Sequence, residues 1–125
     1  MPGFSKETAP NVGEFGPVTD RHDEIDGYTI SIVSFAAEID GAPLLRGLKD
    51  DLCQCPHWGY VVKGTATFTF ADHVEVFEAG DAFYLPPGHS PAHSADSELV
   101  MLSHRYELRE TKDAMQRNMQ AIEGA

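Results

Sequence analysis

Short strand patterns follow one another closely through the middle of this 125-residue chain. In residues 65–70 the sequence Thr-Ala-Thr-Phe-Thr-Phe alternates polar and apolar side chains, which is the period of a strand buried on one face. Glycine and proline residues separate this stretch from its neighbours, as at Lys63-Gly64, Ala79-Gly80 and Pro86-Pro87-Gly88. Other strands are predicted at 28–35, 57–63, 74–77, 82–85 and 98–103. This spacing predicts an all-β fold, either an antiparallel sandwich or a barrel.

The two ends of the chain have different patterns. Residues 1–26 are rich in glycine, proline and charge without a sustained period, which predicts an irregular N-terminal arm. In residues 105–125 apolar side chains recur at helical spacing, so this segment is predicted to be a helix packed on the barrel. The barrel itself is then predicted to occupy residues 27–104.

The charge of the chain restricts its partners. Nine Lys and Arg residues against 20 Asp and Glu residues give a formal net charge of -11. Because such a chain repels phosphate backbones and anionic lipids, we expect no nucleic-acid and no membrane partner. The first ten residues lack the apolar core of a secretory signal, and we therefore expect a cytoplasmic protein. In a reducing cytosol two cysteines are more often thiols, ligands or redox groups than a structural disulfide.

Two cysteines and a histidine lie close together in the segment Cys53-Gln54-Cys55-Pro56-His57. Alternate side chains of an extended backbone share a face, so Cys53, Cys55 and His57 can point the same way. Two sulfurs and an imidazole on one face suit a transition metal. The same residues also suit a buried pair of thiols beside a hydrogen-bonded histidine. This spacing alone leaves both interpretations open.

The glycine and proline positions resemble those of the cupin superfamily. The second cupin motif begins G-x5-P-x-G, which is similar to Gly80-Asp81-Ala82-Phe83-Tyr84-Leu85-Pro86-Pro87-Gly88, and Gly64 is similar to the closing glycine of the first motif. The resemblance covers roughly residues 29–103. It implies a cupin-type, jelly-roll-like antiparallel β-barrel followed by the C-terminal helix.

The resemblance also implies a metal site, although this chain departs from the usual ligands of the family. Cys53 and His57 stand where the family has a histidine and its glutamate, and Pro91 stands at the histidine of the second motif. The sequence of the two motif segments is similar to that of a subgroup of small cupins, which has C-x3-H in the first motif and P-P-G-H in the second. The implied ligand set is drawn from Cys53, His57, His89 and His93, with Cys55 and Asp51 as reserves.

One transition metal is therefore expected, with zinc favoured by the mixed sulfur and nitrogen ligands and with iron, nickel or copper as alternatives. Two functions remain open. In the first, the metal keeps an open position and acts on a small polar molecule as a Lewis acid. In the second, the barrel is a non-catalytic binding or sensing module with a structural metal or none. Whether the chain is an enzyme is left undecided.

Two further expectations concern assembly and pH. Trp58 and Tyr60 alternate with the inward-facing side chains and are predicted to face outward, where they leave apolar surface to cover. Since cupins commonly pair, we expect a homodimer. Because neutral imidazoles are needed as ligands, metal binding is expected to weaken below the ordinary histidine pKa of about 6.5.

Overall fold

The computed structural model describes residues 3–123 and contains mostly antiparallel strands followed by one helix. The strands are β1 Asn11–Phe15, β2 Val18–Ile25, β3 Tyr28–Phe35, β4 Ile39–Asp40, β5 His57–Lys63, β6 Thr65–Phe70, β7 Val74–Glu78, β8 Ala82–Leu85, β9 His89–His93 and β10 Glu98–His104. The helix is α1 Arg105–Glu123, and two short 3-10 turns lie between β4 and β5, at Ala42–Leu45 and Lys49–Asp51. The predicted all-β class and the C-terminal helix are both confirmed, and residues 124–125 of the predicted helix lie outside the described residues.

The strands form two sheets that face each other. One has six strands in the order β1-β2-β3-β10-β5-β8, and the other has four in the order β4-β9-β6-β7. Within residues 3–123 the two sheets share no strand, so the fold is a jelly-roll-like pair of sheets rather than a closed barrel. The main core lies between them and contains Val18, Val33, Phe35, Val61, Ala66, Phe68, Phe70, Phe83, Leu85 and Leu99.

The prediction of an irregular N-terminal arm is wrong for residues 11–25, which form β1 and β2. Strand β2 pairs with β3 along its whole length, from Val18 opposite Phe35 to Ile25 opposite Tyr28. The two strands are joined by Asp26 and Gly27, whose φ angles of 54° and 81° are positive, as in the tight turns that suit β-hairpins. Strand β2 is mostly polar, so its sequence does not show the apolar-polar alternation of a half-buried strand. The Asp-Gly pair is nevertheless a sequence signal for a hairpin.

Helix α1 closes one side of the space between the sheets. Its residue Leu108 packs with Leu45, Cys53 and Cys55 in a second core cluster. Farther along the helix, the side-chain nitrogen of Asn118 donates hydrogen bonds to the carbonyl oxygens of Leu44 (2.7 Å) and Arg46 (2.9 Å). These contacts fix the helix against the segment that leads to Cys53. No helix in residues 3–123 has the length and apolar character needed to cross a membrane.

The outer face of the six-stranded sheet carries exposed aromatic side chains. Trp58 and Tyr60 on β5 are 43% and 46% exposed, and Tyr84 on β8 is 49% exposed. The rings of Trp58 and Tyr84 lie 5.3 Å apart between their centroids. The prediction that Trp58 and Tyr60 face outward is therefore confirmed, and an apolar strip is left on this face.

Candidate metal centre

Three of the predicted ligands meet at one place between the sheets. The sulfur of Cys53 and one ring nitrogen from each of His57 and His89 all lie within 4.8 Å of one another, and all three residues are buried. Backbone pairing joins Cys53 to the first residue of β9, because the Cys53 N–H donates to the His89 carbonyl at 2.8 Å and the His89 N–H donates back at 3.2 Å. His57 is the first residue of β5. We call these three residues the Cys-His-His group.

Hydrogen bonds orient both imidazole rings of the group. The Nδ1 of His89 lies 2.9 Å from the carbonyl oxygen of Pro86, which can only accept, so this nitrogen carries the proton. The Nδ1 of His57 lies 2.6 Å from the hydroxyl of Ser103, and its Nε2 lies 3.6 Å from the sulfur of Cys53. An outer hydrogen bond of this kind orients a histidine that binds a metal. The rings are thus held as metal ligands usually are.

Burial keeps both imidazoles neutral. It lowers the pKa of His57 to about 3, with the neighbouring His89 adding to the effect. It also lowers the pKa of His89, against the opposing hydrogen bond to Pro86. Neutral imidazoles offer a lone pair, so neither ring has to lose a proton before it binds a cation.

The thiol of Cys53 is different, because burial raises its pKa. Hydrogen bonding to the Thr111 side chain, whose hydroxyl lies 3.4 Å from the sulfur, and to the backbone of Cys55 opposes this shift. The sulfur is therefore protonated at neutral pH in the absence of a cation. Since the thiolate is the ligand form, a metal has to displace this proton.

Cys55 lies outside the Cys-His-His group. Residues 54–56 are not part of a strand, so the alternation that places Cys55 on the face of Cys53 and His57 does not hold there. The sulfur of Cys55 lies 3.4 Å from the carbonyl oxygen of Pro56. Burial, helped by the neighbouring Cys53 and Glu107, raises its pKa to about 12. Cys55 is thus a buried thiol that packs in the second core cluster.

His93 and Asp51 are also not brought into the group. His93 lies four residues after His89 on β9, which corresponds to about 13 Å along a strand. Its buried ring packs against those of Phe35 and Phe68, at centroid distances of 4.3 and 5.6 Å. Asp51 is exposed, and its carboxylate accepts a hydrogen bond from the Gly47 N–H at 3.0 Å.

A cavity of about 120 Å³ adjoins the group. The three residues of the group line it together with His93, so both ends of β9 contribute a histidine to its wall. Most of the remaining wall is apolar and includes Val33, Phe35, Ile39, Phe68, Met101 and Met115. The arrangement places a group of candidate sulfur and nitrogen ligands beside a largely apolar cavity.

The fold and these residues can now be compared with known proteins. Residues 54–110 match the family described as a cupin domain, Cupin_2. An RmlC-like cupin from Shewanella frigidimarina NCIMB 400 has a similar structure, with a TM-score of 0.59 and 16% identity over 82% of this chain and 89% of the other. This chain contains a cupin domain. The predicted resemblance to that superfamily is confirmed.

Other solved structures share the cupin fold. A protein of unknown function from Rhizobium leguminosarum bv. viciae 3841 has a TM-score of 0.59 and 14% identity, over 83% of this chain and 96% of the other. A mutant of oxalate decarboxylase from Bacillus subtilis has a TM-score of 0.58 and 14% identity, over 75% of this chain but only 27% of the enzyme. At these identities the similarity shows the fold alone. Among curated proteins, none matches the sequence of this chain.

Proposed function

We propose that this cupin binds one transition metal ion through Cys53, His57 and His89 and takes a small molecule into the adjoining cavity. The observation that carries the proposal is the donor set, in which one thiol and two neutral imidazoles lie within 4.8 Å of one another. Sulfur and nitrogen ligands together favour zinc, while iron, nickel and copper accept the same donors. The reducing cytoplasm is the proposed location, because it keeps the two free cysteines reduced.

The number of ligands supports a reactive rather than a structural site. Structural zinc sites are closed by four protein ligands, whereas catalytic ones use three and leave a position for water or substrate. When bound in such a site, the metal supplies Lewis acidity or lowers the pKa of a bound water. The protein's part is to orient His57 through Ser103 and His89 through Pro86, and to exclude water with apolar walls. His93 lies apart from the group and is left free to contact the small molecule.

Metal content tests the ligand set. After reconstitution with zinc, the wild-type protein is expected to hold one ion per chain, while Cys53→Ser, His57→Ala and His89→Ala are expected to lose it. Altering even an outer partner of a ligand costs about 10- to 100-fold in affinity, so loss of a ligand is expected to cost about 100-fold or more. Elemental analysis after gel filtration measures the effect.

The matched control is Cys55→Ser, which removes the neighbouring buried thiol and is expected to keep the zinc. His93→Ala is a second control with the same expectation. Equal metal content in Cys53→Ser and Cys55→Ser would contradict the proposed ligands. A wild-type protein that takes up neither zinc nor iron would contradict the metal site and favour a binding module without metal.

We further propose a homodimer that pairs through the outer face of the six-stranded sheet, because Trp58, Tyr60 and Tyr84 are about half exposed there. Trp58→Glu is expected to shift the protein from dimer to monomer at micromolar concentrations, since it buries an unpaired carboxylate in the interface. Sedimentation equilibrium measures the change. Val74→Glu is the control, because Val74 is 57% exposed on the other sheet. A wild-type monomer, or equal dissociation of both variants, would refute this interface.

A further inference from the structure

Two buried polar atoms in the cavity wall have no hydrogen-bond partner within residues 3–123. They are Oδ1 of Asp20 and Nδ1 of His93. Both residues line the cavity beside the Cys-His-His group, and neither belongs to that group. Buried polar atoms are almost always hydrogen-bonded, because an unpaired one keeps its desolvation penalty. A ligand in the cavity is the natural source of both missing partners.

Asp20 points inward from β2 beneath helix α1, where its side chain is only 7% exposed. One carboxylate oxygen, Oδ2, pairs with the Lys112 ammonium at 2.7 Å, so the charge is already balanced. The other, Oδ1, lies 3.6 Å from Nδ1 of His22, which is beyond hydrogen-bond distance. A carboxylate oxygen only accepts hydrogen bonds. What Oδ1 lacks is therefore a donor, and a neutral donor is sufficient.

His93 lies at the far end of β9 from the metal ligands. Its ring is held between aromatic side chains, with the ring centroid of Phe35 at 4.3 Å and that of Phe68 at 5.6 Å. Burial lowers its pKa to about 4, so at neutral pH one ring nitrogen donates and the other accepts. His93 can therefore pair with either kind of polar group, and its aromatic surroundings suit an apolar or aromatic body.

We propose that the cavity selects a small, uncharged hydroxy compound, an alcohol or a phenol, whose hydroxyl donates to Oδ1 of Asp20 while a second polar atom pairs with His93. The apolar body of the compound packs against the aromatic and aliphatic walls. A cavity of about 150 Å³ in another protein binds benzene. The volume of about 120 Å³ here therefore suits a compound with a ring of that size or smaller. This inference rests on the proposed function only for the place of binding.

Binding of phenol and toluene to the metal-free protein tests the proposal, because the two molecules are similar in size and only phenol has a donor. With a chelator present, phenol is expected to bind about 10- to 100-fold more tightly than toluene, since toluene leaves the carboxylate oxygen unpaired. Calorimetric titration measures both affinities. Benzoate is expected to bind more weakly than phenol, because its carboxylate meets that of Asp20.

Three variants locate the effect. Asp20→Leu is expected to abolish the preference for phenol over toluene, whereas Ser31→Ala, which removes a different polar group from the cavity wall, is expected to keep it. Resorcinol, which has a second hydroxyl, is expected to bind more tightly than phenol, and His93→Phe is expected to remove that advantage. The comparison in the wild-type protein stands even if Asp20→Leu fails to fold.

Equal affinity for phenol and toluene, preference for benzoate, or binding of none of these probes overturns the proposal. These outcomes are separate from the fate of the metal site, because the titrations are made without metal. A protein that binds phenol in this way but no zinc would retain the hydroxyl selectivity and lose the proposed metal function. A protein that binds zinc but does not distinguish phenol from toluene would retain the proposed metal function and lose the hydroxyl selectivity.

Discussion

Replacing Gly64 with alanine is expected to destabilise the protein by about 3 kcal/mol or more, which is a large part of the stability of a domain of this size. Gly64 has a φ of 80°, which costs an alanine about 1–2 kcal/mol. A Cβ at this position would also lie 2.5 Å from Cβ and 2.7 Å from Cα of Ser97. Ser97 is buried, and its carbonyl oxygen accepts a hydrogen bond from the Phe35 N–H. A shift of Ser97 away from the added Cβ would therefore cost further free energy.

Gly80→Ala is the matched control. Gly80 has a similar φ of 97°, but an added Cβ there meets nothing within 4 Å. Its expected cost is about 1–2 kcal/mol, from the backbone conformation alone. Urea unfolding of the two variants and the wild type measures the difference. Equal costs would show that the contact with Ser97 adds nothing to the requirement for glycine.

The central strands could be predicted because their information is local. Residues 65–70 alternate cleanly, and the predicted limits of 82–85 agree with strand β8. Gly64 and Gly80 mark turns with positive φ values. Such turns can be predicted from the glycines themselves, without the rest of the fold. Each of these features depends on a few neighbouring residues, so the sequence alone is sufficient there.

The missed strands depend on distant partners. Strand β2 places Asp20 among inward-facing residues, and this charge is acceptable only because Lys112 of the distant helix pairs with it. Strand β9 contains Pro91, which weakens a strand pattern because it has no N–H. Here Pro91 instead uses its carbonyl, which accepts a hydrogen bond from Gly41 at 2.8 Å. Neither pairing is visible in the local pattern.

The candidate ligands show the same division. Their residue types and approximate positions could be predicted from the motifs, but the choice among them depends on tertiary geometry. The backbone bridge between Cys53 and His89 brings these two residues together. The irregular residues 54–56 separate Cys55 from Cys53, and the length of β9 separates His93 from His89. The remaining features of the cavity, above all the unpaired oxygen of Asp20, were not predicted.

Zinc affinity is expected to rise about tenfold with each pH unit between about pH 5.5 and about pH 8, because one proton leaves for each ion bound. The proton comes from Cys53, whose pKa is raised, so the thiol stays protonated through this range. Burial lowers the pKa of His57 to about 3, so this histidine adds little slope in the range, and it lowers the pKa of His89, so any slope from that ring begins at a lower pH than in water. This replaces the expectation, drawn from the ordinary histidine pKa, that the histidines set the pH at which binding weakens.

Calorimetric titration in buffers with different ionisation enthalpies gives the number of protons released. Wild type and Cys55→Ser are expected to release one proton per zinc, whereas the weak residual binding of Cys53→Ser is expected to release none. A slope that steepens below about pH 6.5 would show that the histidines titrate as they do in water. Absence of proton release in the wild type would mean that the thiol of Cys53 is not a ligand. Burial raises the pKa of Cys53 and lowers the pKa values of His57 and His89. Release of one proton per zinc would therefore show that the buried position of the site between the two sheets sets its pH dependence.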